Sequence, residues 1–230
     1  MTIWREVEDA LEEIIDEYER VNHLISLFQD DKARWIGLKE AGLHEGVGLE
    51  LGPGPGNFTQ MMQTRLEGFL ICIDYSTKML KAGRVRNRKR NTGFIRGLFE
   101  LLPIRGGVLS FTTAAYALRD SIHKERVLRE ISRTLKIEGV LLVVDIGKPN
   151  NPVVRGIFSL YMRHIVPILG GLAAGYGYRN PWSLLYRTYD LLPVNLGLQE
   201  MMERTLGRAK LEELALGGLI VALAEKKGEK

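Results

Sequence analysis

Apolar and polar positions follow two different periods along this chain, and each change of period marks an element. Residues 3–28 set Val7, Leu11, Ile14, Ile15, Tyr18 and Val21 at helical spacing. A second, shorter helix is expected over 31–41. Short apolar runs then alternate with amphipathic segments. Strands are expected at 47–51, 69–73, 94–97, 108–112 and 140–144. The last is an apolar run rich in β-branched residues, as expected of a central parallel strand. Helices are expected at 58–66, from a Ser76 cap to about 85, and over 122–135 with Val127, Leu128, Ile131 and Leu135 facing inward. The alternation predicts an α/β fold with a doubly wound, mostly parallel sheet. The last third differs: 149–195 is apolar and broken by Gly170-Gly171 and several prolines, and reads as a helical insertion. Residues 206–216 and 218–225 read as two strands joined by a tight Gly217-Gly218 turn, closing the sheet antiparallel.

Composition narrows the classes. The chain has 230 residues, a net charge of +4 and a hydrophobic content of 45%, ordinary values for a globular domain with a sizeable core. The mild basicity permits an anionic partner or a membrane surface and requires neither. A lone cysteine, Cys72, lies in an apolar run, which excludes a disulfide framework or a thiolate metal cluster; it reads as a buried structural thiol, and no metal site is expected. The charged stretch from Arg5 to Arg20 is no signal peptide. No run of about twenty uncharged apolar residues suggests a bilayer span. The expected location is cytoplasmic.

The densest chemistry lies in GLELGPGPGNFTQMM, residues 48–62. A strand ending at Leu51 and a helix starting near Asn57 leave a glycine loop at the carboxyl end of a first parallel strand, where open α/β sheets bind ligands. Gly52, Gly54 and Gly56 let the backbone approach a ligand closely, Pro53 and Pro55 stiffen the loop, and the helix start offers free N–H groups. The pattern is G-x-G-x-G; Asn57 stands where a dinucleotide site has its third glycine. Glu50 just before the loop is unfavourable beside a pyrophosphate and suits a ligand with positive charge, such as the amino group or sulfonium of S-adenosylmethionine. Asp74 ends the second strand, where its carboxylate could accept both ribose hydroxyls; the structural alternative is a helix cap ahead of Ser76.

Several stretches now fall in order. YERVNHLIS (18–26), LELGPGPGN, IDYSTKML, GLFELLP (97–103), YALRD (116–120), RTLKIEGVLLVVDIGKP (133–149) and VVRGIFSLYMRHIVPILGGL (153–172) together resemble class I S-adenosylmethionine-dependent methyltransferases, and more narrowly the ubiquinone/menaquinone-biosynthesis C-methyltransferase family. The resemblance runs from about Tyr18 to Lys226. It implies a Rossmann-like seven-stranded fold forming one domain over 1–230, with a helical cap (1–45), a cofactor-binding core (46–148), a helical insertion or lid (149–195) and a closing helix and strands (196–230). It implies S-adenosylmethionine as cofactor and assigns Glu50, Gly52, Pro53, Gly54, Gly56, Asn57, Asp74, Tyr75, Met79, Gly97, Leu98, Phe99 and Thr113 to its site. Leu98 and Phe99 replace the family's Asp-Ala pair, so the usual carboxylate contact to the adenine edge is absent. The Glu-Ser pair expected before the C-terminal helix is absent around WSLLYRTYDLLP.

The implied reaction is methylation of carbon in a reduced hydroxylated ring, where a base or cation beside the hydroxyl raises the carbon's nucleophilicity. Arg119 is the first candidate by family position, with an ion pair to Asp120 or a nearby carboxylate as the structural alternative. His123 could be a base or a half-exposed helix histidine. Tyr116 could line the acceptor pocket or simply pack. Tyr18 and Asn22 resemble lid residues; Thr112 and Thr113 end the fourth strand on the cofactor side. In the insertion, Arg155, Ser159 and Arg163 form a narrow polar stripe beside a broad apolar face. That face suits a lid, a dimer contact or a peripheral membrane contact through 153–172. The expected partner is a small-molecule acceptor of lipophilic character, with the protein a monomer or homodimer. The basic run RVRNRKR (84–90) has no interleaved aromatics for base stacking and reads as a solvated helix end, so nucleic acid is the weaker partner. The rival functions are an RNA methyltransferase and a cofactor-binding module without turnover.

Overall fold

The computed structural model describes residues 15, 17–43, 45–88, 91–175, 177 and 180–228. Seven strands form one sheet in the order β3-β2-β1-β4-β5-β7-β6. They are β1 (Val47–Leu51), β2 (Phe69–Asp74), β3 (Thr92–Arg96), β4 (Leu109–Ala115), β5 (Leu135–Ile146), β6 (Gly207–Leu214) and β7 (Leu219–Lys226). The first five run parallel, and β7 lies antiparallel between β5 and β6. The order reverses between β1 and β4, which opens a crevice at the carboxyl ends of those two strands.

The helices are α1 (Tyr18–Ile25), α2 (Asp30–Ala41), α3 (Asn57–Gln63), α4 (Thr77–Arg86), α5 (Lys124–Thr134), α6 (Pro152–Leu160), α7 (Val166–Ala174), α8 (Leu185–Asp190) and α9 (Asn195–Leu206). The pleat sends successive strand residues to opposite faces. Leu141, Val143 and Ile220 pack with Val127, Leu128 and Ile131 of α5 and Met202 of α9. Leu142, Val144 and Val221 pack on the other face with Ala33 and Leu38 of α2 and Phe58 and Met62 of α3. Both faces are covered, which is why 140–144 is apolar at every position. Cys72 is buried in the second of these clusters.

Several boundaries differ from the sequence expectation. The helix expected over 3–28 is described only from Tyr18 and ends at Ile25; its earlier part lies outside the described residues. Leu27 and Phe28 follow with φ of 51° and 59°, a left-handed reversal that apolar periodicity cannot reveal. Leu135 begins β5 instead of ending a helix, because β5 pairs with Leu109 before a bulge that carries Glu138 at φ 63°. The closing hairpin turns through Ala215–Gly217 rather than at Gly217-Gly218.

The insertion is the largest correction. Gly170-Gly171 does not break it: Pro152–Ala174 is one 23-residue helix containing a π-helical turn, Tyr161–Ile165. The wide turn precedes Pro167, whose ring would clash with the carbonyl four residues back in a regular helix. Gly170 is instead a seat for Trp182, whose ring lies 2.8 Å from where a Cβ would stand. Trp182 anchors a third cluster with Val21, Met162, Val166 and Tyr189. Among the described residues Pro152–Ala174 is the one helix long and apolar enough to cross a membrane by length and composition, and 28% of its most apolar 18-residue stretch is buried.

The core at β1 leaves no room for a side chain at position 48. A Cβ on Gly48 would fall within the ring of Phe111 on β4. The Gly48→Ala variant is expected to lose about 1–3 kcal/mol of unfolding free energy, read from chemical denaturation midpoints at unchanged slope.

Candidate active site

The glycine loop is built as its sequence predicts. Gly52, Gly54 and Gly56 have φ of 63°, 54° and 89°, a region a side chain would strain. The Gly52 N–H donates to the Ile73 carbonyl at 2.8 Å, and the Gly56 N–H to that of Pro53 at 2.9 Å. Asn87 donates its amide to the carbonyls of Gly56 and Gly83. The Gly54 position has open space where a Cβ would stand, and the start of α3 follows directly.

Asp74 closes the loop from β2. Its carboxylate accepts the Gly54 N–H at 3.3 Å and the Ser76 N–H at 2.9 Å. Ser76 itself caps α4 by accepting from the Met79 N–H, so Asp74 and Ser76 share the helix start and the carboxylate stays partly exposed at the crevice. Gly97 donates to the Asp74 carbonyl at 3.1 Å. Tyr75 and Leu98 are exposed beside this edge, with Arg96 held over the Tyr75 ring at 4.9 Å. Phe99 backs the loop, its Cζ 3.3 Å from the Cβ position of Gly52. Open glycines, a carboxylate at the next strand's end and a flat aromatic and apolar edge fit an adenosyl group carrying a cationic thioether.

Four residues of the expected cofactor set have packing or hydrogen-bond partners within the protein itself. Glu50 is 1% exposed and turns beneath the loop, accepting from Thr59 at 2.6 Å and from the Cys72 thiol at 3.6 Å. Burial pushes its carboxyl up to about 7, against the pull of those two hydrogen bonds. Thr113 is fully buried and donates to the Leu49 carbonyl at 3.4 Å; it secures β4 to β1. Met79 is buried in α4. Asn57 accepts from Arg86, which also reaches Glu19 at 3.0 Å. Position along the chain beside the loop could not tell which way each of these side chains turns. Of the basic run, Arg84 lies over Phe94 and Arg88 bonds the Val85 carbonyl; Lys89 and Arg90 lie outside the described residues.

Next to the crevice lies a cavity of about 370 Å³. Its walls are apolar, with Ile157, Phe158, Tyr161 and Met162 from the insertion and Leu216 and Leu219 from the hairpin. One end is polar, where Asp30, Arg34, Tyr116 and Arg119 meet. Arg119 is 4% exposed. Its Nη1 donates to Asp145 Oδ1 and its backbone N–H to Asp145 Oδ2, both at 3.1 Å; Nε lies 3.5 Å from Asp120. Cavity lining and carboxylate pairing therefore coexist in Arg119. Lys124 fixes the same turn by donating to the Ser121 carbonyl at 2.7 Å. The Tyr116 ring carries Arg34 at 4.8 Å and Arg119 at 5.9 Å, and burial raises its phenol well above the ordinary value. Asn22 lines the cavity; the Tyr18 side chain lies outside the described residues. His123 is exposed, precedes α5 and does not line the cavity, which removes it as a base there.

Strain marks the same place. Of the six non-glycine residues with positive φ among the described residues, Leu27, Tyr116, Ala215 and Leu216 border the cavity. Such conformations cost about 1–3 kcal/mol each and cluster where function requires them. Sequence reasoning missed Asp30, Arg34 and Asp145. The one available signal was an apolar strand run ending in an aspartate.

Glu50 gives a pH test. Its carboxyl lies at 4.5 when unperturbed and at about 7 in the fold. An acid raised on folding lends stability that is complete below the lower value and lost as pH climbs through the upper one. The advantage of Glu50→Gln over the native chain is expected to grow by about 3 kcal/mol between about pH 4.5 and pH 8, measured by denaturant unfolding across that range.

Comparison with known proteins agrees with this geometry. The ubiE/COQ5 methyltransferase family matches residues 3–226. The demethylmenaquinone methyltransferase of Lactococcus lactis is 28% identical over 222 residues, 94% of this chain and 87% of that protein. The ubiquinone/menaquinone biosynthesis C-methyltransferase of Idiomarina loihiensis is 26% identical, covering 94% and 88%. A SAM-dependent methyltransferase of Thermotoga maritima superposes with a TM-score of 0.68 at 20% identity, over 95% of this chain and 99% of that one. Matched by the family over nearly its whole length, the chain belongs to the ubiE/COQ5 methyltransferase family and is a methyltransferase with S-adenosylmethionine as its methyl donor.

Proposed function

We propose that this enzyme methylates a ring carbon of a reduced, hydroxylated quinone precursor, of the kind its menaquinone- and ubiquinone-pathway relatives are named for. The observation that carries this reading is the cavity: apolar walls from the insertion and hairpin lead to one polar end holding two buried arginines. That arrangement suits an acceptor with a polar ring and a greasy tail.

The donor, when bound, supplies a methyl group already activated by sulfonium charge. Gly52, Pro53, Gly54 and Gly56 would cradle it, Asp74 would hold its ribose, and Tyr75, Leu98 and Phe99 would flank its base. The protein's own chemistry lies at the acceptor. Arg119 stabilises negative charge on the ring hydroxyl oxygen, which raises the nucleophilicity of the neighbouring carbon. Asp145 aligns the guanidinium through two hydrogen bonds. Tyr116, kept neutral by burial, packs beside it. The apolar walls exclude water from the reacting ring.

The cavity's exposed rim supports contact with a lipid interface. Leu27, Ile157 and Leu216 line the cavity and are 64%, 65% and 85% exposed. Ile157 continues into an outer stripe with Val153, Leu160, Ile168 and Leu172. A soluble enzyme with this face could draw a prenylated ring from a membrane surface without spanning it.

Incubation with methyl-labelled donor and separated lipid, small-molecule and RNA fractions tests the reading: label is expected in a quinol of the lipid fraction, and label in RNA would overturn it. Asp74→Ala is expected to weaken donor affinity by about 10- to 100-fold, measured by calorimetry. Arg119→Met is expected to lower turnover while donor affinity holds.

A further inference from the structure

We propose that Arg34 is an acceptor-binding residue, taking a second ring oxygen that Arg119 does not reach, and that the two arginines make the cavity selective for a ring bearing two oxygens. The inference rests on the proposed function and names what its acceptor site recognises.

Two cationic side chains line the cavity, Arg34 from α2 and Arg119 from the turn after β4. Neither belongs to the glycine loop or the Asp74 edge. Their guanidiniums approach one ring, that of Tyr116, at 4.8 and 5.9 Å, so both sit at the same polar end.

The burial of Arg34 is what requires a reason. Its side chain is 6% exposed, and its Nη1 donates to Asp30 at 2.9 Å and Asp31 at 2.6 Å. A pair spaced i, i+4 supports a helix equally well in solvent, by about 0.2–0.5 kcal/mol. Taking it into the interior costs several kcal/mol per ion before partners compensate, so helix stability alone does not account for it. Asp30 is held further by His23 Nδ1 and by the Ser26 hydroxyl, each at 2.9 Å. Burial pushes its carboxyl up, but His23, Arg34 and Ser26 outweigh that and leave it below the ordinary value. A charged carboxylate thus fixes a charged guanidinium at the cavity wall. A planar guanidinium that cannot lose its proton is suited to hold a phenolic oxygen in either protonation state.

The arrangement resembles the Arg119–Asp145 pair on the opposite element: an arginine at the cavity, aligned by a buried carboxylate behind it. A single-hydroxyl ring would satisfy one such cation and leave the other facing an apolar edge, a desolvation penalty that discriminates strongly.

The test uses the full chain saturated with S-adenosylhomocysteine, under reductant, and two soluble probes: 1,4-dihydroxynaphthalene and 1-naphthol. The native enzyme is expected to bind the diol about 10- to 100-fold more tightly. Arg34→Met should erase most of that preference by weakening the diol alone, with affinity for 1-naphthol and S-adenosylhomocysteine unchanged. Arg34→Lys should keep part of the preference. Because Arg34→Met leaves Asp30 without its cation, the double variant Arg34→Met/Asp30→Asn provides the same measurement without a stranded charge. A preference that survives in both methionine variants overturns the proposal, as does equal weakening of both probes. A native enzyme that binds both probes equally overturns it while leaving the function standing; one that binds neither overturns both.

Discussion

The site depends on one carboxylate, that of Asp145. It lies one residue before the end of the central parallel strand β5 with 1% exposure, and it binds Arg119 through both main chain and guanidinium while also accepting from the Ile146 N–H. A carboxyl group this deep is tolerable only when its oxygens are filled. Here they are filled by the turn that must be held in place. The bond therefore joins two strands beyond the end of their ladder, where sheet hydrogen bonding no longer fixes the backbone. Tyr116, at φ 59°, is carried in the same span. Its strained backbone persists because β4, β5 and Asp145 over-determine its surroundings.

The crevice and the cavity obtain their order by different means. The crevice is main chain: three left-handed glycines, a helix start and a carboxylate that ties two loops. The cavity is side chain: residues spread along the sequence from Asn22 to Leu219 line it, and no local sequence fixes their meeting. The crevice was correspondingly legible. The G-x-G-x-G loop, the Asp74 strand end and the Ser76 cap each follow from the spacing of residues whose backbone preferences are strong. The alternation of strands with helices over 46–148 was legible for the same reason.

What was not legible depended on which side a residue faces or on contacts distant in sequence. Glu50 precedes the loop, and only the fold shows it turned beneath toward Thr59 and Cys72. Gly170-Gly171 looked like a break in a helix because glycine weakens helices in isolation; Trp182, distant from it along the chain, converts the gap into a seat. Asp30 and Arg34 sit in DDKARW, which reads as an exposed charged helix. Their burial follows from α2 packing against β5 and β7. The β5 bulge and the reversal at Leu27 and Phe28 likewise have no periodic signature.

The seclusion of the one cysteine has a chemical consequence. Oxidised quinones are electrophiles that arylate accessible thiols, and an enzyme handling their reduced forms meets them whenever the pool is oxidised. Cys72 is fully buried. Its thiol is pushed to a higher pKa first by burial and then by the neighbouring Glu50, which withholds the reactive thiolate. A chain with no other sulfhydryl thus offers oxidised quinones no accessible thiol to arylate.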